Sequence, residues 1–174
     1  YAENNIGLLN RISSIFLKRH ISIDSVNSSP SEINDIYRFV IVVTVHELLI
    51  KKVIAQIEKQ IEVIAAFYHT DQETIFQESA LYKVKSKSLF EERHIQNIIK
   101  NSHAKIVTVS PEFFVIEKTG FREETEKLYN DLAPYGLLQF VRSGRIAVTK
   151  DPLKISEILK KDRKSTTSEL QSPM

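Results

Sequence analysis

The sequence is poor in the residues that most often carry chemistry. Cysteine and tryptophan are absent from its 174 residues, and glycine occurs only four times. Without cysteine there are no disulfides, no thiolate metal ligands and no thiol nucleophile. Four separated glycines cannot build a Walker or dinucleotide-binding loop, which needs several within a short span. The five histidines (His20, His46, His69, His94, His103) are never paired at metal-ligand spacing, so they read as surface or strand-end residues. No serine sits in a nucleophile elbow. A large charge of one sign is also missing. The net charge is +2, with no basic field of the kind that drives nucleic-acid binding. No apolar run approaches the roughly 18 residues needed to span a bilayer, and no signal-like segment opens the chain. The expectation is a soluble, cytoplasmic protein with no nucleic-acid or membrane partner and no active site of its own.

What is present is periodicity. Tyr1–Glu3 read as the stub of a strand, with upstream residues expected to be absent from this sequence. Leu8, Leu9, Ile12, Ile15 and Phe16 then mark a helix over about residues 7–19. A half-buried strand is expected over Ile21–Val26, followed by a polar loop over Asn27–Asn34. Ile36–Val45 is rich in β-branched residues and reads as a strand. Ile50, Val53, Ile54, Ile57 and Ile61 form one face of a helix over about 47–61, and Val63–His69 reads as another strand. After a polar connector over Asp71–Glu78 the pattern starts again. Strands are expected at Ala80–Val84, Lys105–Val109, Phe113–Lys118 and Leu137–Val141, with Arg145–Thr149 extending or pairing with the last. Helices are expected at Phe90–Asn101 and Phe121–Leu132, the second burying Phe121, Leu128 and Leu132 and ending at Pro134 and Gly136.

Twice, then, the order is β-α-β-β-α-β. The fold class is α+β, with two ferredoxin-like domains of about 70 residues each. The boundaries fall at 1–72 and 78–150, with 151–174 a tail expected to be mostly disordered. Units this small bury only about 60% of their unfolded surface, so each is expected to lean on a neighbour or a second chain.

The stretch Glu3-Asn4-Asn5-Ile6-Gly7-Leu8-Leu9 is the candidate site. Asn4 and Asn5 are residue types that cap helices through their side-chain oxygens. Gly7 keeps the backbone bare for a tight turn or a close approach. The first free N–H groups of a helix suit a carboxylate or phosphate. A well-capped helix following a strand explains the same pattern without a ligand. Similarly, Ser143-Gly144 between Arg142 and Arg145 fits a phosphate or partner loop and, equally, a tight turn.

Residues Glu3-Asn4-Asn5-Ile6-Gly7-Leu8-Leu9-Asn10-Arg11-Ile12 resemble the opening of ACT domains, small amino-acid-sensing modules. They are most similar to the regulatory (small) subunit of acetohydroxyacid synthase, or acetolactate synthase, which has Glu-Asn-x-x-Gly-x-Leu-x-Arg there. Ile23-Asp24-Ser25-Val26, Gln56-Ile57-Glu58-Lys59-Gln60 and Val141-Arg142-Ser143-Gly144 extend the likeness over about residues 1–150. The resemblance implies an N-terminal ACT domain, a C-terminal ACT-like domain and no catalytic residues on this chain. It implies a homodimer whose ACT sheets join edge to edge. Valine or a related branched-chain amino acid would be held between them as the feedback signal in branched-chain amino-acid biosynthesis. Asn4, Ile6, Gly7, Leu8 and Leu9 of one chain, with Ser22 and Ile23 of the other, would form that effector site. Ser22 stands where the family has an asparagine. The implied partner is a large catalytic subunit, to which the thiamine diphosphate, Mg and FAD cofactors would belong, and this chain would carry none. The alternatives are a free-standing amino-acid-binding ACT regulator or an enzyme on the same scaffold.

Overall fold

The computed structural model describes residues 1–87 and 93–152. The expected tail lies almost wholly outside them, as do the first residues of the helix expected from Phe90. Two compact units appear. One comprises Tyr1–Ile75 with the described residues from Val148, the other Phe76–Ala147. No helix among the described residues is long and apolar enough to cross a membrane.

The first unit contains β1 (Ala2–Glu3), α1 (Leu8–Leu17), β2 (Ile23–Pro30), β3 (Ile36–Val43) and α2 (Glu47–Ile57). Its sheet has the order β1-β3-β2, all neighbours antiparallel. β1 and β2 therefore run parallel, and α1 is the crossover that joins them over β3. Leu8, Ile12 and Phe16 recur every four residues, share one helix face, and meet Ile21, Val53 and Ile57 in the core.

Three expectations change here. β2 does not stop at Val26 but continues through the polar Asn27-Ser28-Ser29 to Pro30, paired with Arg38–Val40 and Tyr37 of β3. The ladder supplied by the apolar β3 outweighs the turn preference of those residues. Pro30 is tolerated because it ends an edge strand. α2 ends at Ile57, so Ile61 is 98% exposed instead of continuing the helix face. The strand expected at Val63–His69 is reduced to a single bridge between Val63 and Ala2. Backbone bonds tie this segment to the chain start: Glu3 N–H to the Glu62 carbonyl (2.9 Å) and Ile64 N–H to the Tyr1 carbonyl (2.9 Å). β1 spans only two residues, and a ladder cannot run past its partner. The segment still takes the fourth-strand position beside β1, as a ferredoxin-like unit requires.

The second unit holds all but the first two residues of β4 (Thr74–Lys85), then α3 (Arg93–Asn101), β5 (Lys105–Val109), β6 (Phe113–Gly120), α4 (Arg122–Leu132), β7 (Leu137–Arg142) and the start of β8 (Ile146–Thr149). The sheet order is β5-β6-β4-β7, with β8 also on β4. β4 starts inside the stretch expected to be a connector. β7 uses Ala80–Val84 of β4, which leaves the earlier part of β4 open on that side for β8. Lys150 N–H accordingly donates to the Glu73 carbonyl at 2.8 Å. Ala80, Tyr82, Val84, Phe114 and Ile116 face Ile95, Leu128 and Leu132 in a closed core. Tyr82 donates its buried hydroxyl to the Thr125 carbonyl at 2.7 Å, and burial raises its pKa to about 12. Thr125 takes the buried place expected for Phe121, which is half exposed and meets Phe76 edge-on at 5.5 Å. The fold is α+β, two ferredoxin-like two-layer units, as the repeated element order predicts.

Candidate functional site

Gly7 is the residue from which α1 starts, and its backbone is left-handed (φ 85°, ψ −5°). A Cβ built there would meet nothing within 4 Å. The glycine is therefore required by its own backbone angle rather than by crowding within the chain. Leu8 N–H donates to the Asn5 carbonyl at 3.3 Å, and Arg11 N–H donates to the Gly7 carbonyl at 3.1 Å. Between them, the N–H groups of Leu9 and Asn10 have no acceptor among the described residues. Two donors at the positive end of a helix are thus left open.

Asn4 and Asn5 do not cap α1, contrary to the reading of the sequence; no side chain caps it. The left-handed Gly7 separates them from the helix, so their amides cannot reach the second or third helical N–H. Asn5 instead donates its side-chain amide to Glu62 Oε1 at 3.1 Å, and Arg11 pairs with the same oxygen. Hydrogen bonding to its own backbone N–H, and then Arg11, holds the Glu62 carboxyl below its usual range. This clamp fixes the turn that precedes α1. Asn4 is exposed and Ile6 is 99% exposed, an unusual setting for an isoleucine. Leu8 is buried in the core, whereas Leu9 is 40% exposed.

Ser22 and Ile23 lie at the opposite end of α1. Ser22 is exposed and Ile23 half-buried, at the point where β2 begins. Seven helical residues (11–17), about 10 Å along the axis, and the turn after them separate them from the open donors. One chain therefore brings Ile6, Gly7, Leu8 and Leu9 together with Asn4 close by, and leaves Ser22 and Ile23 apart. A shallow groove of about 480 Å³ runs along α1 between them, lined by Asn10 at one end, Ile21 and Ile23 at the other, and Ser13, Ser14, Phe16 and Leu17 between. The sequence reading missed this groove, although the short Ser13 and Ser14 between larger residues were a signal for it.

The arginine-flanked turn is engaged internally. Ser143 and Ser79 exchange two hydrogen bonds, Ser143 N–H to the Ser79 carbonyl (2.8 Å) and Ser79 N–H to Ser143 Oγ (2.9 Å). Arg142 donates to Glu126 at 2.6 Å, and both Arg142 and Arg145 lie within 4 Å of the buried Glu78 carboxylate. Their charges are met by carboxylates, so the tight-turn reading accounts for these residues. No group of three or more histidine, aspartate or glutamate side chains is arranged to hold a metal ion among the described residues.

Two family models match the chain. The AHAS small subunit-like ACT domain matches residues 1–65, and the small subunit of acetolactate synthase matches residues 77–151. The acetolactate synthase small subunit of Mycolicibacterium smegmatis is 33% identical over 150 residues, covering 86% of this chain and 88% of that one. That of Bacillus subtilis is 34% identical over 148 residues, covering 84% and 86%. The crystal structure of the acetolactate synthase small subunit from Thermotoga maritima superposes with a TM-score of 0.76 at 26% identity. It covers 87% of this chain and 94% of that one.

Proposed function

This chain belongs to the acetolactate synthase small-subunit family, and on that premise we propose that it is a non-catalytic regulator of a separate catalytic subunit. In this reading it raises the catalytic subunit's activity and reports the level of a branched-chain amino acid to it. The thiamine diphosphate, Mg and FAD belong to the catalytic subunit, and this chain supplies control. It acts as a homodimer through its first units, in the cytoplasm.

The observation that carries the effector site is the pair of open N–H donors on Leu9 and Asn10, presented by the left-handed Gly7. Backbone donors at a helix start hold a carboxylate without a lysine or arginine. This reading takes the site's other half, Ser22 and Ile23, from a second copy, because within one chain they lie past the far end of α1 from the open donors. β2 is the open edge of its sheet among the described residues, with β3 on its other side. An edge-to-edge pairing of two β2 strands about a two-fold axis satisfies that edge. It also brings the start of one α1 to the end of the other. An aliphatic side chain held there meets Ile6 and Leu9 of one chain and Ile23 of the other. Ser22 offers a single hydroxyl to the ligand where an asparagine would offer an amide, so affinity depends on that position.

Calorimetric titration with valine, leucine and isoleucine tests the site. Parent chain is expected to bind at least one of them. Gly7→Asp is expected to abolish binding while the protein still folds, because aspartate tolerates the left-handed region better than most residues. It would set a carboxylate beside the ligand's own. Asn4→Ala is expected to weaken binding by about 1–3 kcal/mol if its amide meets the ligand, and Ser22→Asn to tighten it. Normal valine binding by folded Gly7→Asp would contradict the site.

A further inference from the structure

α1 starts without a side-chain cap, directly after a glycine in the left-handed region. Such a start is prone to fray, because its first N–H groups lack partners and glycine adds backbone freedom. One carboxylate from much later in the chain bridges it. Asn5, two residues before Gly7, donates its side-chain amide to Glu62 Oε1 at 3.1 Å, and Arg11 pairs with the same oxygen. The open N–H groups of Leu9 and Asn10 lie within the short span that these two contacts close. Glu62 is itself anchored. Its carbonyl accepts from Glu3 N–H at 2.9 Å. On either side, Val63 N–H donates to the Gln60 carbonyl (3.0 Å) and Ile64 N–H to the Tyr1 carbonyl (2.9 Å). A fixed point beside β1 therefore holds both ends of the segment that presents the donors.

We propose that Glu62 is a positioning residue for the effector. By stapling Asn5 to Arg11 it holds the Leu9 and Asn10 N–H groups in the geometry that takes the carboxylate of a branched-chain amino acid. This rests on the effector site of the proposed function and adds the device that keeps that site formed before the ligand arrives. Glu62 acts through Asn5 and Arg11 and needs no contact with the ligand. Neutral backbone donors hold a carboxylate well only when their directions are already fixed, since ordering the turn on binding would be subtracted from the affinity. With no side chain capping α1, the staple is what supplies that order.

Calorimetric titration with valine, leucine and isoleucine, paired with amide hydrogen exchange, tests the staple. Glu62→Ala is expected to weaken binding by roughly tenfold or more, because the turn must then be ordered by the ligand. The Leu8 and Arg11 N–H groups, which bond to the Asn5 and Gly7 carbonyls, are expected to exchange faster, while the amide of the buried Val53 exchanges as in the parent. Because Glu62 acts through its two partners, removing it from Asn5→Ala/Arg11→Ala is expected to change affinity by less than about twofold. Asn5→Ala, a change at an exposed residue, gives the same comparison if Glu62→Ala does not fold, and weaker binding is expected there too. Parent-like affinity in folded Glu62→Ala, or in Asn5→Ala, would overturn the staple and leave the effector site standing. So would a loss that persists in full in the Asn5→Ala/Arg11→Ala background, or equal acceleration of exchange at Val53, the mark of general destabilisation. A parent chain that binds none of the three amino acids would overturn both.

Discussion

At the scale of single residues, Gly7 carries the largest consequence for its size. Its φ of 85° is a conformation that costs an L-residue about 1 kcal/mol or more, while the space around its Cα is open. Gly7→Ala should therefore lower stability by about 1 kcal/mol in denaturant unfolding without disturbing the core. Gly7→Asn should cost less, because asparagine tolerates the left-handed region. A loss of several kcal/mol would mean that the open space around Gly7 is not what the structure shows. Ile61 makes the contrary case. It fits the apolar spacing of α2, yet it is 98% exposed, so Ile61→Lys should change stability by no more than about 0.5 kcal/mol. Leu8→Ala, by comparison, empties a fully buried site and should cost about 2–5 kcal/mol. The importance of Gly7 was legible in the sequence, since a glycine just before an apolar helix has few other uses there. The misreading of Asn4 and Asn5 as caps has a specific cause. Residue type marks a helix start, but only backbone angles decide which residue is the cap, and here a left-handed glycine took that place.

The elements were legible where an apolar period was strong and illegible where a neighbour decided the matter. α1, β3 and α4 follow from their own spacing to within a few residues. β2 and β4 are longer than their composition allows because each lies along a partner that supplies a ladder. Asn27-Ser28-Ser29 and Thr74–Gln77 become strand by pairing, not by preference. The two halves of the proposed site fall toward the two ends of one element, α1, whose ten residues span about 15 Å, a separation that no local pattern could reveal. The turn before α1 is held by Asn5 and Arg11 on Glu62, and this predicts a pH response. The Glu62 pKa is lowered in the folded protein by its backbone hydrogen bond and by Arg11. A carboxylate of lowered pKa contributes stability above its unfolded value of about 4.5, and that contribution is lost as pH falls through the lower folded value. NMR titration should accordingly show the Asn5 side-chain amide and the Arg11 amide shifting together below about pH 4.5, with no such transition in Glu62→Gln. Shifts of the same size and midpoint in Glu62→Gln would remove the clamp from the account.

For the molecule as a whole, two ferredoxin-like units of similar order sit on one chain, and their uses diverge. Among the described residues, the first unit presents an open sheet edge and unclaimed helix N–H groups, features that a second copy and a small carboxylate would satisfy. The second unit closes its core around Tyr82 and ties its arginine-flanked turn to Glu78 and Glu126. The duplicated topology was legible from element order alone, and the family from motifs in both halves. The central claim is that this chain controls a catalyst it does not contain. The most direct measurement is acetolactate formation from pyruvate by the matched catalytic subunit, alone, with this chain, and with this chain plus valine. The account predicts a higher rate when the chain is added, and a fall on adding valine that Gly7→Asp abolishes. An unchanged rate, at concentrations where the two proteins demonstrably form a complex, would contradict it.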